Sequence, residues 1–222
     1  LSKVLPKELF PLVDKPVIQY IVEEAVASGI KEIIFVNNPG KKATIEYFKE
    51  TPKLKAFLKK KNKNHILEEI ERIENIAKKV VFHQVFQKEP LGDGHAILQA
   101  EKLVKGDPCA VLFGDDVVDS KTPCLLQLIK IFEKYQASVM ALYRLPSEKL
   151  TYYGTAGGRK IGNRLFRVEK IVEKPSRPEL APSNLTIVGK RIITPEVFEY
   201  LKRAEKNKAG EISLTEAMAK MV

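Results

Sequence analysis

Two lysines near the start of the chain lie in a loop that prolines should stiffen. Residues 5–16 read LPKELFPLVDKP, with three prolines spaced five residues apart. Because each proline fixes its own backbone φ, the loop could hold Lys7 and Lys15 at set positions over an anion, and fixed cations suit phosphate. The alternative interpretation is an ordinary connector with solvated lysines.

A second candidate is the glycine-containing loop QKEPLGDGHA, residues 87–96, which lies between a predicted strand and a predicted helix. Gly92 and Gly94 would let the backbone approach a ligand closely, and a helix N-terminus offers free N–H groups to an anion. The amide of Gln87 can donate and accept, as reading the carbonyl and imide N–H edge of a pyrimidine requires. These features predict a nucleotide site, although a ligand-free turn fits the same residues.

Two carboxylates follow an apolar strand in FGDD, residues 113–116. Ligands of α/β sheets bind at the carboxyl ends of the strands, so this position favours a functional role. Adjacent side chains of an extended chain point in different directions, and we expect Asp115, rather than Asp116, to face the site. An aspartate there suits Mg²⁺, which prefers oxygen ligands and takes substrate phosphates. A helix cap or turn aspartate is the alternative.

A glutamate and a lysine stand side by side in IVEKP, residues 171–175, at the end of another predicted strand. Glu173 can accept hydrogen bonds from hydroxyls, and Lys174 can meet a phosphate. Strand alternation places the two side chains on opposite faces, so both can serve one ligand only if the backbone twists or bulges there. A surface ion pair is the alternative.

The elements that must position these residues alternate between helices and short apolar strands. Helices are predicted over 16–29, 52–79, 95–104 and 124–136, and strands over 31–38, 80–86, 108–116 and 138–145. This alternation predicts an α/β fold with a doubly wound, mostly parallel, Rossmann-like sheet. From about residue 150, glycine turns and period-two patches predict a small β-rich insertion over the carboxyl ends of the strands. A strand at 184–194 and two helices follow it.

Composition limits the remaining possibilities. The 222 residues show no compositional break, which favours one domain, and 44% are hydrophobic and 30% charged. No apolar run is long enough to span a bilayer and no secretion signal is visible, so we expect a cytoplasmic protein without membrane contact. Cys109 and Cys124 are expected to be reduced thiols. The net charge of +10 lacks the basic stripe with interleaved aromatics of a nucleic-acid binder, so we expect no nucleic acid partner.

The order of the motifs resembles that of the sugar-phosphate nucleotidyltransferase family. The motifs are PKELFPLVDKP, Q-x-x-x-x-G-x-G-H-A, the strand-end GDD, YG, VEKP, APSNLTIVG and GEISLTEA. The last two are closest to the glucose-1-phosphate uridylyltransferase branch. The resemblance implies the family's nucleotidyltransferase sheet with a sugar-binding insertion, as one domain over 1–222 with a nucleotide-binding part, 1–149, and a sugar-phosphate-binding part, 150–222.

The resemblance also implies roles for individual residues, with Mg²⁺ as the cofactor. Seven positions match the family's motifs: Lys7 at the nucleotide phosphates, Gln87 and Gly92 at the uracil, Asp115 at the nucleotide and Mg²⁺, Gly154 and Glu173 at glucose, and Lys174 at the glucose phosphate. Lys7 and Lys174 would supply the catalytic charges, with Lys15 supporting the loop. Asp93 would place a carboxylate near the nucleotide phosphates, where it could weaken UTP binding or recruit metal.

The implied reaction joins UTP and glucose 1-phosphate to give UDP-glucose and pyrophosphate, in a homo-oligomer. Two alternatives are a thymidylyltransferase of the same family and a non-catalytic relative that binds a nucleotide sugar. By the same resemblance, the G-x-G-T-R segment that the family has before this point and a C-terminal segment with a second metal-binding aspartate are expected to be missing. The domain is therefore expected to be truncated at both ends.

Overall fold

The lysine loop folds into a short helical turn followed by a tight hairpin. In the computed structural model, which describes residues 5–40 and 42–222, a 3₁₀ turn covers Lys7–Leu9 and strands β1 (Pro11–Leu12) and β2 (Lys15–Pro16) pair antiparallel. Val13 takes the left-handed φ of 64° that the turn between the two strands needs. Helix α1 (Val17–Ala27) begins directly after the hairpin, so the loop is anchored to the body of the fold.

The remaining elements confirm the predicted alternation of helices and strands. The strands are β3 (Glu32–Asn37), β4 (Val81–Phe86), β5 (Cys109–Leu112), β6 (Val139–Arg144), β7 (Thr155–Gly162), β8 (Leu165–Val172) and β9 (Leu185–Ile193). The helices are α2 (Ala43–Glu46), α3 (Pro52–Lys60), α4 (Asn64–Ala77), α5 (Asp93–Val104), α6 (Cys124–Tyr135), α7 (Glu196–Lys202) and α8 (Leu214–Ala219). The helical stretch predicted over 52–79 is therefore two helices, because the chain turns at Asn62, whose φ is 55°.

The sheet pairing is more antiparallel than the sequence pattern predicts. Strands β3 and β4 pair in parallel, with Phe35 opposite Gln84. Strand β9 runs antiparallel to β5, β6 and β7, and β7 and β8 form an antiparallel hairpin. The α/β class is confirmed, but within residues 5–40 and 42–222 the only parallel pairing is that of β3 with β4. The difference arises because β9 runs between β5 and β6 and opposite to both.

Strand β9 organises the neighbourhood of the predicted site residues. One of its edges pairs with β6, and the other pairs first with β7, where Thr186 is opposite Thr155, and then with β5, where Lys190 is opposite Leu112. The ends of β5 and β7 therefore meet along the same edge of β9. The segment 150–222 and the segment 1–149 share one sheet through this strand.

The two faces of β9 bury different hydrophobic clusters. Ile187 and Ile193 pack with residues of α7 and α8, whereas Ile192 packs with residues of α1 and α6. A third cluster joins α1 to β3 around Phe35. None of the helices in the described part of the chain combines the length and hydrophobicity that a membrane span requires.

The two cysteines are free thiols rather than a disulfide. Burial raises the pKa of Cys109 to about 11, so this side chain stays protonated near neutral pH.

Candidate active site

The loop after β5 places the two aspartates of FGDD in different environments. The N–H of Phe113 donates to the carbonyl of Gly189 at 2.8 Å, which extends the pairing of β5 with β9 by one bond. Oδ2 of Asp116 then accepts a hydrogen bond from the Gly189 N–H at 2.6 Å, so this aspartate is occupied in holding the loop against β9. Asp115 is left at the surface, on the open side of the loop.

The structure brings Lys7 and Asp115 together although they lie 108 positions apart. Nζ of Lys7 is 2.5 Å from Oδ2 of Asp115, and both side chains are about half exposed. The 3₁₀ turn fixes the backbone of Lys7, whose carbonyl accepts a hydrogen bond from the Phe10 N–H at 3.1 Å. An ammonium group and a carboxylate that could bind a metal ion therefore lie together at the end of β5.

Lys15 has a different environment from Lys7. Its Nζ is paired with the carboxylate of Glu23 and lies 4.2 Å from the ring centroid of Tyr20. The Tyr20 hydroxyl in turn donates to the carbonyl of Leu12 at 2.8 Å. These contacts tie the hairpin to α1, which agrees with the supporting role expected for Lys15.

The amide of Gln87 is oriented by two hydrogen bonds. Its Nε2 donates to the carbonyl of Gly92 at 2.9 Å and lies 3.0 Å from Nδ1 of His95. A carbonyl can only accept, so the amide nitrogen must face Gly92, and both of its hydrogens are then used. Within the described residues no hydrogen bond to Oε1 of Gln87 occurs, which leaves a carbonyl oxygen for a ligand.

The glycines of the GDG turn are required by the chain itself. A Cβ at Gly92, where φ is 95°, would lie 2.5 Å from the carbonyl oxygen of Ile212, and one at Gly94 would lie 2.7 Å from Cδ2 of Leu201. The N–H of Gly94 donates to the same Ile212 carbonyl at 2.9 Å. The expectation of a free helix N-terminus for an anion is therefore wrong at Gly94, because the segment before α8 occupies that position.

Asp93 caps a second helix instead of facing open space. Its Oδ1 accepts from the N–H of Gly94 at 2.8 Å and from the N–H of Leu214 at 3.1 Å. An acceptor at the first residue of a helix satisfies one of the donors that the helix leaves unpaired. These bonds assign Asp93 to joining α5 and α8, and they give no support to the metal-recruiting role considered for it.

Glu173 and Lys174 lie on the same side of the chain, contrary to regular strand alternation. Strand β8 ends at Val172, and Lys174 has a left-handed φ of 39°. This turn brings Nζ of Lys174 to 4.0 Å from Oε1 of Glu173, whose side chain is 21% exposed against 67% for the lysine. The backbone therefore has the twist that would allow Glu173 and Lys174 to bind the same ligand.

Gly154 forms the wall beside the glutamate. A Cβ at this position would lie 2.8 Å from Oε2 of Glu173 and 3.1 Å from Cγ2 of Thr215. Burial raises the pKa of Glu173, and Asp93 raises it further. A hydrogen bond from Thr215 and the charges of Lys174 and Arg191 act in the opposite direction, but the net effect is an increase.

The predicted residues fall into three groups around β9 and the segment that leads into α8. They are Lys7 with Asp115, Gln87 with Gly92, and Gly154 with Glu173 and Lys174. Asp93 and the start of α8 connect the second group to the third. In the described residues no ion pair or hydrogen bond joins Lys174 to Lys7 or Asp115, so the first group is not directly linked to the third.

Arg191 and Thr215 lie near Glu173 but were not among the residues predicted from the sequence. Arg191 is buried and donates to Oγ1 of Thr215 at 2.8 Å. For Arg191 the sequence contained a usable signal, the two successive charges Lys190 and Arg191 inside an apolar strand. Adjacent side chains of a strand point to opposite faces, so in a strand covered on both faces both charges must be buried. Buried charges need partners, but the sequence pattern does not predict which residues those partners are.

The described residues contain no group of three or more His, Cys, Asp or Glu side chains that could hold a metal ion. Asp115 is the carboxylate in contact with Lys7, and the side chain of Glu8 packs against the neighbouring Gly114. Mg²⁺ commonly binds through one or two carboxylates together with waters and substrate phosphates, so Asp115 fits a metal ion that arrives with a nucleotide.

Comparison with known proteins identifies the family of this chain. The sequence profile of the family described as nucleotidyl transferase matches residues 1–222. The chain belongs to the nucleotidyl transferase family. The resemblance stated from the motifs is thereby confirmed.

Similar proteins within this family carry closely related names. A UTP–glucose-1-phosphate uridylyltransferase of Bacillus subtilis (strain 168) is 41% identical over 220 residues, which cover 99% of this chain and 74% of that protein. The structure of an apo UDP-glucose pyrophosphorylase superposes with a TM-score of 0.92 at 35% identity, covering 99% of this chain and 80% of the other. A UDP-glucose pyrophosphorylase complexed with UDP-glucose gives a TM-score of 0.86 at 35% identity, covering 99% and 79%. The Rossmann-like nucleotidyltransferase fold is therefore confirmed.

Proposed function

We propose that the protein is a UTP–glucose-1-phosphate uridylyltransferase, which makes UDP-glucose and pyrophosphate. The observation that carries the proposal is the convergence of Lys7 on Asp115 at the end of β5, because it joins the two motifs that the reaction needs at the phosphates. The names of the similar proteins support the choice of substrates.

The nucleotide base would be read by Gln87. Its free Oε1 can accept a hydrogen bond from the N3–H of uracil, while cytosine has an acceptor at that position and would be rejected. Cytosine would leave the Gln87 oxygen covered but without a hydrogen-bond donor. Leaving such a group unpaired costs more free energy than a typical hydrogen bond contributes, so discrimination against cytosine should be strong. The carbonyl of Gly92 accepts the hydrogen bond that orients this amide.

The phosphates would be received by Lys7 and Asp115. An oxygen of glucose 1-phosphate attacks the α-phosphorus of UTP in line, a new P–O bond forms, and the bond to the departing pyrophosphate breaks. Two polyanions must approach each other, so catalysis depends on fixed positive charge and positioning, without a protein nucleophile. Lys7, held by its 3₁₀ turn, would supply charge at the nucleotide phosphates.

The contact between Lys7 and Asp115 is well suited to exchange partners. Exposed ion pairs contribute only about 0–1 kcal/mol, so separating them costs little. When UTP binds, Lys7 can move to a phosphate oxygen and Asp115 can hold Mg²⁺. The metal, when bound, supplies positive charge that neutralises phosphate oxygens.

Glucose 1-phosphate would bind between Gly154, Glu173 and Lys174. The carboxylate of Glu173 can accept hydrogen bonds from sugar hydroxyls, and the exposed ammonium of Lys174 can pair with the sugar phosphate. The absence of a side chain at Gly154 leaves the carboxylate accessible, since any Cβ there would touch its Oε2. Residues 150–222 would thus form the sugar-phosphate-binding part and residues 1–149 the nucleotide-binding part.

The test is release of pyrophosphate from UTP by the intact protein, with glucose 1-phosphate and Mg²⁺ present. We expect Lys7→Met to reduce kcat roughly 10²-fold, or by about 3 kcal/mol in transition-state stabilisation. The matched control is Lys102→Met, which removes an exposed lysine from α5 and is expected to leave kcat within about twofold. Binding of UDP-glucose without any turnover by the unmodified protein would refute the proposal and favour a non-catalytic nucleotide-sugar-binding relative.

A thymidylyltransferase is the second candidate. The free carbonyl of Gln87 meets the imide N–H that uracil and thymine share, so it does not distinguish UTP from dTTP. Comparison of kcat/KM for the two nucleotides decides between them, and a preference for dTTP would replace the uridylyltransferase assignment.

The family resemblance also supports a homo-oligomer and a cytoplasmic location. Light scattering on the purified protein and cell fractionation test these two expectations.

A further inference from the structure

Arg191 is a charged side chain inside the largest hydrophobic cluster. It is 4% exposed and lies on the face of β9 that carries Ile187 and Ile193. Its guanidinium carbon is 5.8 Å from the ring centroid of Phe113, and Nη1 lies 3.8 Å from Sδ of Met218. No carboxylate of the described residues is within ion-pair distance of it, and its buried Nε has no hydrogen-bond partner there. A buried charge without an ion pair costs several kcal/mol, so a role beyond packing is indicated.

The hydrogen-bond directions around Arg191 follow from its chemistry. A guanidinium has five donors and no acceptor, so Oγ1 of Thr215 must accept the 2.8 Å bond from Nη2. The single hydroxyl hydrogen of Thr215 is then left to donate elsewhere. Glu173 is the carboxylate that lies beside Thr215 against Gly154, and Thr215 is among the causes that lower its pKa, so we assign Glu173 as the acceptor. Arg191 and Thr215 would then be successive donors that lead from the core to the Glu173 carboxylate, the proposed sugar ligand.

The geometry around Gly154 shows where this chain ends. The position of a Cβ on Gly154 is 2.8 Å from Oε2 of Glu173 and 3.1 Å from Cγ2 of Thr215, so the carboxylate and the threonine lie against the same glycine. Lys174, Asp93 and Arg191 are the charged groups that face Glu173. Of these, Arg191 is the buried cation, and its position cannot relax into solvent.

We infer that Arg191 is a positioning residue for the proposed reaction, holding the Glu173 carboxylate through the Thr215 hydroxyl in the orientation that accepts hydrogen bonds from the sugar. The inference rests on the proposed function for the identity of the sugar substrate. Arg191 itself touches no substrate, and its effect passes through one hydroxyl group. The hydroxyl can therefore be removed without removing the buried charge.

The experiment compares Thr215→Val, which keeps the shape and removes the hydroxyl, with Thr215→Ser, which keeps the hydroxyl. We expect Thr215→Val to lower kcat/KM for glucose 1-phosphate about tenfold or more, the usual effect of losing one hydrogen bond to a charged group, with KM for UTP changed less than about twofold. The acidic limb of the pH profile should move to higher pH, because a donor that lowers the pKa of Glu173 is lost. Thr215→Ser should stay within about threefold of the unmodified protein.

A second measurement needs no activity. The carboxyl carbon of Glu173 is followed by ¹³C NMR against pH in the substrate-free protein, with Glu173→Gln used for assignment. Thr215→Val and Arg191→Met should both raise its midpoint, and Thr215→Ser should not. If Arg191→Met does not fold, the threonine pair still decides the matter.

The two failures can be told apart. An inactive unmodified protein refutes the proposed function, whereas an unchanged Glu173 titration in Thr215→Val refutes the positioning role whether or not the protein is active. Equal losses of kcat/KM in Thr215→Val and Thr215→Ser would also refute it, since packing and not the hydroxyl would then be responsible.

Discussion

The buried pair of Glu24 and Lys190 gives a sharp test of how β9 is held. Nζ of Lys190 lies 2.8 Å from Oε2 of Glu24, and the two side chains are 0% and 10% exposed. The ammonium and the carboxylate form an ion pair, but Nζ of Lys190 has no hydrogen-bond partner in the described residues. Oε1 of Glu24 accepts from the N–H of Leu125 at 2.9 Å, which ties α1 to the start of α6.

The magnitude follows from this geometry. Two unit charges 2.8 Å apart attract by about 6 kcal/mol at an effective dielectric constant of about 20. This attraction roughly offsets the cost of burying both charges, so the pair as a whole contributes little, but removing one partner leaves the other uncompensated. Glu24→Gln keeps the shape, but if its oxygen retains the bond from Leu125, its NH2 group faces the Lys190 ammonium, so the variant removes both the negative charge and the acceptor. We expect it to lower the free energy of unfolding by about 3–5 kcal/mol.

Urea unfolding of the unmodified protein, Glu24→Gln, Lys190→Met and the double variant measures the effect. The double variant should recover much of the loss, since no buried ammonium then lacks a partner. The control Glu205→Gln, at an exposed position, should change the free energy of unfolding by less than about 0.5 kcal/mol. A loss below about 1 kcal/mol in Glu24→Gln, or a double variant no more stable than that single variant, would refute the reasoning.

Two further predictions concern packing and pH. Gly94→Ala should destabilise the protein by about 1–3 kcal/mol, because the new Cβ would lie 2.7 Å from Leu201 and 2.9 Å from the Ile212 carbonyl. The control is Gly40→Ala, whose Cβ would lie 3.6 Å from Asn38, the nearest side chain among the described residues, and equal melting temperatures for the two variants would contradict the prediction. Burial alone would raise the pKa of Glu74, but hydrogen bonds from Lys55 and Thr51 lower it below the ordinary value. Its stabilising contribution is then complete above the unfolded-state pKa of about 4.3 and is lost as pH falls through the folded-state value, so Glu74→Gln should lose less stability than the unmodified protein on acidification below that pH. Parallel pH profiles of the free energy of unfolding would contradict it.

The helices and strands could be predicted from the sequence because local signals mark them. Helix α1 combines an apolar face with a proline before its start and a glycine, Gly29, after its end. The buried strands are short apolar runs that end in turn residues, as β3 does. These signals depend on neighbours within about ten residues, and they specify where an element lies and which type it is.

The direction of β9 could not be predicted in the same way. A short apolar segment has the same pattern whether its strand is parallel or antiparallel to its neighbours. The sequence of Leu185–Ile193 therefore contains no information on the direction of pairing. The same limit applies to Asp93, whose second partner, Leu214, is 121 positions away. The candidate site residues were identified singly, and their grouping depends on such distant contacts.

Strand β9 also explains why residues from separate motifs can act on one reaction. The N–H and carbonyl of Gly189 both hold the loop that carries Asp115, and a Cβ at Gly189 would lie 2.8 Å from Cβ of Phe113 and 2.9 Å from Oδ2 of Asp116. Two residues further along, Arg191 donates to Thr215, which lies beside Glu173 against Gly154. A shift of β9 by one residue would send the arginine to the opposite face of the sheet and displace the aspartate loop together. The carboxylates proposed to bind metal and sugar, Asp115 and Glu173, therefore depend on one strand register, and the buried pair of Lys190 with Glu24 on the opposite face helps to fix it.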